Sequence, residues 1–161
     1  MEKFFYPRSL AVFGASATKT SLANIVLLNN LQNGYQGKLY AVGSREGELS
    51  GIKIYKSVRD LPETPDVAIF LTPAATIPAL LQDCGEKGIT HIVIESGGFS
   101  QYSQGGKTLE EEVLRIAERY GMKIIGPNCV GTINFDIKMM MPFGFFSNIP
   151  QKAGKVALIV Q

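Results

Sequence analysis

The sequence predicts a doubly wound α/β fold, a mainly parallel sheet with helices on both faces. Three observations predict it. Short apolar runs recur along the chain: 10-LAVF-13, 39-LYAV-42, 67-VAIFL-71, 92-IVI-94, 123-KIIG-126 and 156-VALIV-160. These runs are continuous rather than alternating, as expected of strands buried on both faces. The segments between them carry helix chemistry, and most runs are followed by a short turn built from Gly, Ser, Thr, Pro or Asn.

Taken in order, 10-LAVF-13 passes through 14-GAS-16 into the apolar-rich segment 22-LANIVLLNNL-31, a strand, a turn and a helix. The second run, 39-LYAV-42, opens into the polar stretch 43-GSREGE-48. After 67-VAIFL-71 comes 76-TIPALLQDCGEKG-88, in which Thr76 can cap, Pro78 sits in the first turn and Gly88 can end the helix. The fourth run leads into 95-ESGGF-99. In 107-KTLEEEVLRIAERYG-121, Leu109, Val113, Ile116, Ala117 and Tyr120 form one apolar stripe, with acids early, Arg115 and Arg119 late, and Gly121 as the stop. The fifth run leads into 126-GPNCVG-131, and the sixth, 156-VALIV-160, is expected to be the first strand of a following domain. The expected division is therefore one domain over 1–150 and the opening of another over 151–161.

A length of 161 residues argues for a single core, because one core commonly serves roughly 100 to 200 residues. Hydrophobic residues make up 45% and charged residues 19%, and the net charge is +2 without a block of Lys or Arg. Nucleic-acid and membrane-surface partners are thereby disfavoured. The N-terminus MEKFFYPRS has no stretch of signal-peptide length. Cys84 and Cys129 are isolated thiols without metal-site spacing, which fits a reducing, cytoplasmic compartment.

Ligands of doubly wound sheets bind beyond the carboxyl ends of the strands, so the turns after the runs are where function is sought. In the first turn, Gly14 permits tight curvature, and Ser16, Thr18 and Ser21 place hydroxyls beside the free N–H groups of a helix start, an anion site. The same hydroxyls also fit plain helix capping. A dinucleotide fingerprint would need further glycines where Ser16 and Lys19 stand. After the second run Gly43 leads to Arg45, a residue that accommodates a ribose phosphate or, alternatively, is solvated in a polar loop. In the third turn Thr72 and Pro73 leave space over a strand end. In the fourth, Glu95 is a carboxylate at a strand end without a visible acid or histidine partner, followed by Ser96, Gly97 and Gly98. His91 stands at the amino end of its strand, the wrong end for a site, and 139-MMMPFGFF-146 reads as a packed loop or an interface. No catalytic and no metal-ligating constellation emerges.

Together the turns 14-GAS-16, 42-VGSR-45, 72-TPA-74, 97-GGF-99 and above all 126-GPNCVGTIN-134, backed by 154-GKVALIVQ-161, resemble the CoA-binding domain of NDP-forming acyl-CoA synthetases and of the succinyl-CoA synthetase alpha subunit. The resemblance implies a Rossmann-like domain that holds CoA or acyl-CoA. It implies that Gly14, Ser16, Ala17, Thr18, Lys19 and Ser21 meet the CoA phosphates, and that Gly43 and Arg45 face the phosphorylated ribose. Thr72, Pro73, Glu95, Ser96 and Gly97 would line the pantetheine path, and Asn128 and Cys129 would lie near its reactive end.

Whole enzymes of that family convert acid, CoA and NTP into acyl-CoA, NDP and phosphate through an acyl phosphate and a phosphohistidine. Nucleotide, Mg and the phosphohistidine are expected in other synthetase domains or a beta subunit, so this segment is expected to bind CoA without catalysing. A homo-oligomer is compatible with this. Two alternatives stand beside it: a non-catalytic CoA-sensing module, for example of a protein-lysine acetyltransferase, and an NAD(P)-binding oxidoreductase domain, which the missing glycines disfavour.

Overall fold

The computed structural model describes residues 1–18, 20–99, 103–104, 107–144 and 154. In chain order these form α1 (Glu2–Phe5), β1 (Ser9–Phe13), α2 (Leu22–Asn33), β2 (Lys38–Val42), β3 (Gly47–Leu49), β4 (Ile52–Tyr55) and β5 (Val67–Phe70). There follow α3 (Ile77–Lys87), β6 (His91–Ile94), β7 (Ser103–Gln104), β8 (Lys107–Thr108), α4 (Leu109–Tyr120), β9 (Lys123–Ile125), β10 (Ile133–Asn134) and β11 (Met139–Met140). Seven strands make one sheet in the order β3-β4-β2-β1-β5-β6-β9, and every pairing in it is parallel except β3 with β4. Numbered among themselves, the six parallel strands run 3-2-1-4-5-6, so the chain reverses direction across the sheet between β1 and β5. This is the expected doubly wound α/β fold.

The central strands earn their position by composition. All five residues of β1 and all four of β5 are buried. Alternate side chains of β1 serve opposite cores: Leu10 and Val12 pack with Ala23, Val26 and Leu27 of α2, whereas Ala11 and Phe13 pack with Ile77 and Leu81 of α3 and Ile116 of α4. Phe13 meets Phe70 edge-on, ring centroids 4.6 Å apart. On α4 the predicted stripe faces inward, and Thr108 with Glu111 forms a reciprocal capping box that fixes where the helix starts. Tyr120 is half-buried, with its ring against Gly85 of α3.

Helix α2 is buried on more than one side, because a return segment crosses it. Met139, Met140 and Met141 are buried in the core, and α2 holds them with asparagines. Asn30 accepts from Met140 N at 2.9 Å and donates back to Met140 O, and Asn29 donates to Gly144 O at 2.8 Å. The side chains of 29-NN-30 thus stand in for a neighbouring strand. The tract 139–146, read as a packed loop or an interface, packs its methionines into the core, with Met139–Met140 forming β11, and 145 and 146 fall outside the described residues.

One expectation is corrected and two elements are added. Thr76 does not cap α3 with its side chain: its hydroxyl turns back to Pro73 O at 2.7 Å, and the chain enters α3 through a 3-10 turn, Ala74–Thr76. Strand β4 was not foreseen, because 52-IKIY-55 alternates, Ile52 and Ile54 in the core and Lys53 in solvent. The short α1 was not foreseen either; it buries Phe4, which meets His91 edge-on at 5.0 Å. The expected strand 156–160 lies outside the described residues.

Candidate functional site

The carboxyl edge of the sheet gathers all five turns. Gly14 has φ +103, and a Cβ there would stand 2.6 Å from Leu71 O, so the β1–α2 turn is pressed against the end of β5 and only glycine fits. The N–H groups of Gly14 and Ala15 both reach Val42 O, at 2.9 and 3.1 Å. A Cβ on Gly43 would fall 2.2 Å from Ala15 O, so the turn after β2 also lies backbone to backbone on the first. Arg45 stands exposed between Gly43 and Gly47, which both abut that turn, and makes no ion pair among the described residues.

The first turn is held by a residue the sequence reading passed over. Asn24, in the first turn of α2 and 6% exposed, accepts from Ser16 N at 3.0 Å and from Ser21 Oγ at 3.0 Å, and donates to Ser16 O at 2.8 Å. Ser21 Oγ in turn accepts from Asn24 N at 3.1 Å, the N-cap of α2. The pattern S-x-x-N at a helix start was the available signal. Ala17 and Thr18 remain exposed at the rim, while Lys19 lies outside the described residues.

The other three turns are tied in series. Leu71 N donates to Phe13 O at 3.2 Å, and Glu95 N to Phe70 O at 3.1 Å. Ser96 Oγ reaches Thr72 O at 2.6 Å, and Asn128 N donates to Ser96 O at 3.1 Å. Gly97 lies against the Asn128 side chain, where a Cβ would be 3.0 Å from Oδ1. The peptide between Gly126 and Pro127 is cis, and Asn128 has φ 56. Thr72, Pro73, Ser96, Gly97, Asn128 and Cys129 therefore line one continuous strip that extends the floor begun by Gly14 and Gly43.

Glu95 departs from the others. It is 5% exposed, and neither carboxylate oxygen has a hydrogen-bond partner among the described residues. Burial pushes its carboxyl up to about 8. The Cys129 thiol is also pushed up, by burial first and by the Glu95 charge as well, and it points at Ile94 O, 3.4 Å away. Cys84 is fully buried, with its thiol pushed well up by burial. Among the described residues no group of three or more His, Cys, Asp or Glu could hold a metal ion. Two surface grooves of about 450 and 500 Å³ lie at the amino ends of the strands around Tyr35, whose hydroxyl is already donated to Pro7 O at 2.7 Å. The switch between β1 and β5 and the linked turns mark the opposite edge as the candidate site.

The CoA binding domain family matches residues 8–134, a span that contains all five turns. The chain belongs to that family. As a CoA-binding domain it aligns along its full length with two ADP-forming acetate–CoA ligases. It is 38% identical over 161 residues to acetate–CoA ligase I of Archaeoglobus fulgidus and 41% identical over 161 residues to the alpha subunit of acetate–CoA ligase II of Pyrococcus furiosus. It is also 36% identical over 155 residues, 96% of the chain, to the ADP-forming 4-hydroxybutyrate–CoA ligase of Nitrosopumilus maritimus. The chain spans 23%, 34% and 22% of the length of these relatives. Among solved structures, the dinucleotide-forming acetyl-coenzyme A synthetase 1 of Ca. Korarchaeum cryptofilum superposes with a TM-score of 0.81 at 34% identity, over 94% of this chain and 32% of that one. No helix among the described residues is long and apolar enough to cross a membrane.

Proposed function

We propose that this chain is the CoA-holding part of an ADP-forming acyl-CoA ligase. CoA lies along the carboxyl edge of the sheet, its phosphates at the 14–21 turn and its pantetheine arm along Thr72, Pro73, Ser96 and Gly97. The thiol ends beside Asn128 and Cys129, and Arg45 takes the ribose phosphate through charge-assisted hydrogen bonds. What supports this reading above all is that five turns from separate strand ends are linked by backbone contacts into one strip, inside the span that the family matches. The relatives support it from another side. They act on different acids, acetate and 4-hydroxybutyrate, while sharing this part of the chain, so what this part recognises is their common substrate.

The acid, ATP and phosphate chemistry, with its Mg, belongs on this reading to further domains or a partner subunit. The compartment is cytoplasmic. Thermal unfolding with CoA, dephospho-CoA, NAD and NADP tests the assignment, since a ligand at about 100 times its Kd adds roughly 2.7 kcal/mol of stability. A rise in Tm with CoA, smaller with dephospho-CoA and absent with NAD and NADP, is expected. A rise with NAD or NADP and none with CoA overturns it.

A further inference from the structure

The turn over 126–131 does not hold itself. Its backbone enters the left-handed region three times, at Gly126 (φ 107), Asn128 (φ 56) and Gly131 (φ 66), and such a path persists where its surroundings fix both ends. The sheet fixes its entry: a Cβ on Gly126 would stand 2.3 Å from Ile94 O, and Asn128 N donates to Ser96 O at 3.1 Å. The exit is fixed by α1. Thr132, the residue after the turn, donates its hydroxyl to Phe4 O at 2.9 Å, and Asn134 donates Nδ2 to Phe5 O at 2.7 Å. Asn134 Oδ1 accepts from Asp136 N at 2.9 Å, which turns the amide toward α1, and the Tyr6 hydroxyl adds a third tie to Asp136 at 3.4 Å. Thr132 and Asn134 stand two residues apart and so on one side of the extended chain. They fill successive carbonyls at the end of a four-residue helix, which have no partner within it. The closing letters of 126-GPNCVGTIN-134, beyond the CoA strip, are therefore a clasp on α1.

For its size α1 is a firm anchor. Phe4 is 1% exposed, lies in the same core cluster as Met139 and Met141, and meets His91 edge-on. Lys3 pairs with Asp66 at 2.8 Å, and Pro7 O accepts the Tyr35 hydroxyl at 2.7 Å. The clasp acts on the β10–β11 hairpin, whose other strand is held by Asn30 of α2, and Met141 N closes the pair by donating to Thr132 O at 3.0 Å. Gripped between α1 and α2, the hairpin carries the turn with Asn128 and Cys129 at its head. Residues 1–7 precede the span that the family matches, 8–134, while the residues that clasp them stand at its far end. On the reading proposed above, on which this inference rests, the 126–131 turn meets the end of the pantetheine arm. We propose that Thr132 and Asn134 are positioning residues for that end of CoA: they pass the position of α1 to the turn, so that a helix outside the strip sets how well the arm is held.

Thr132→Val removes the hydroxyl at nearly constant shape, Thr132→Ser keeps it, and Asn134→Ala removes the second tie. Isothermal titration calorimetry gives the Kd of each variant for CoA and for 3′-phospho-ADP, the half of CoA that lacks the pantetheine arm. One neutral hydrogen bond corresponds to roughly a fivefold change in an equilibrium constant. CoA binding should therefore weaken about fivefold in Thr132→Val and in Asn134→Ala, and by up to about 25-fold in the double variant. Thr132→Ser should bind CoA as wild type does. Binding of 3′-phospho-ADP should stay within about twofold throughout, since the 14–21 and 43–45 turns are distant from the clasp. A merely structural role would lower Tm and leave the ratio of the two Kd values where it was. Unchanged CoA affinity in Thr132→Val, or equal losses for CoA and 3′-phospho-ADP, overturns the inference while leaving the CoA site intact. Thr132→Val decides this alone if the double variant does not fold, and the CoA contrast between Thr132→Ser and Thr132→Val decides it if 3′-phospho-ADP binds too weakly to measure. Wild-type protein that binds no CoA overturns the CoA-site reading and this inference with it.

Discussion

Replacing Glu95 by Gln should make the domain more stable in mild alkali and less stable, by about 1–3 kcal/mol, in acid. The carboxyl is raised from 4.5 to about 8 by burial. It is therefore protonated in the folded chain where it is already ionised in the unfolded one, and folding takes up a proton across that window. Stability from this group is fully present below about pH 4.5, declines as pH rises, and is gone above about pH 8. At roughly 1.4 kcal/mol per pH unit the whole window amounts to at most about 5 kcal/mol. An unpaired buried amide costs about 1–3 kcal/mol of its own, so the variant should gain about 2–4 kcal/mol over wild type at high pH.

Urea unfolding followed by circular dichroism, at several values between about pH 5 and pH 9, checks this. The wild-type midpoint should fall steadily through the window, and the variant midpoint should be flatter and cross it. Asp66 works the other way. Its carboxyl is held below the usual range: burial opposes this, but the Lys3 ammonium at 2.8 Å and the Arg8 N–H more than offset it. That contribution disappears as pH falls below the carboxylate range, outside the window in question. A wild-type midpoint that stays level from pH 5 to pH 9, or a variant destabilised equally at every pH, would refute the reasoning.

Three other perturbations separate the parts of the site. Arg45→Ala should leave Tm unchanged, since the side chain is exposed and without an ion pair among the described residues, yet weaken CoA more than dephospho-CoA; equal losses would remove Arg45 from the ribose phosphate. Asn24→Ala breaks the bonds to Ser16 and Ser21 at once. It should cost about 2 kcal/mol or more in urea unfolding and weaken CoA and dephospho-CoA alike. Gly43→Ala drives a methyl group to 2.2 Å from Ala15 O, so the first two turns must separate. Calorimetry should then show CoA affinity falling further than Tm does, as expected if that backbone contact shapes the phosphate end.

How much of this could be read in advance follows from the range of the interactions. The runs that became β1, β5 and β6 were legible because burial on both faces leaves a local trace, an unbroken apolar word. The word 52-IKIY-55 was not, because β4 keeps Lys53 in water and so lacks that trace. The turns of the candidate site were legible for a related reason: a turn that follows a strand advertises itself in four or five adjacent letters, as in 14-GAS-16 or 126-GPNC-129. What holds those turns in register is written across the chain instead. Asn29 and Asn30 act on residues 110 or more positions away. Glu95 read as a carboxylate at a strand end without an acid or histidine partner, and its burial under Gly131 is not written beside it. A sequence window sees the carboxylate, but its burial depends on a segment 36 positions later, and that burial is what raises its pKa. The carboxyl edge is therefore local in composition and long-range in its electrostatics, which is why its turns could be read from adjacent letters while the burial of Glu95 needed the fold.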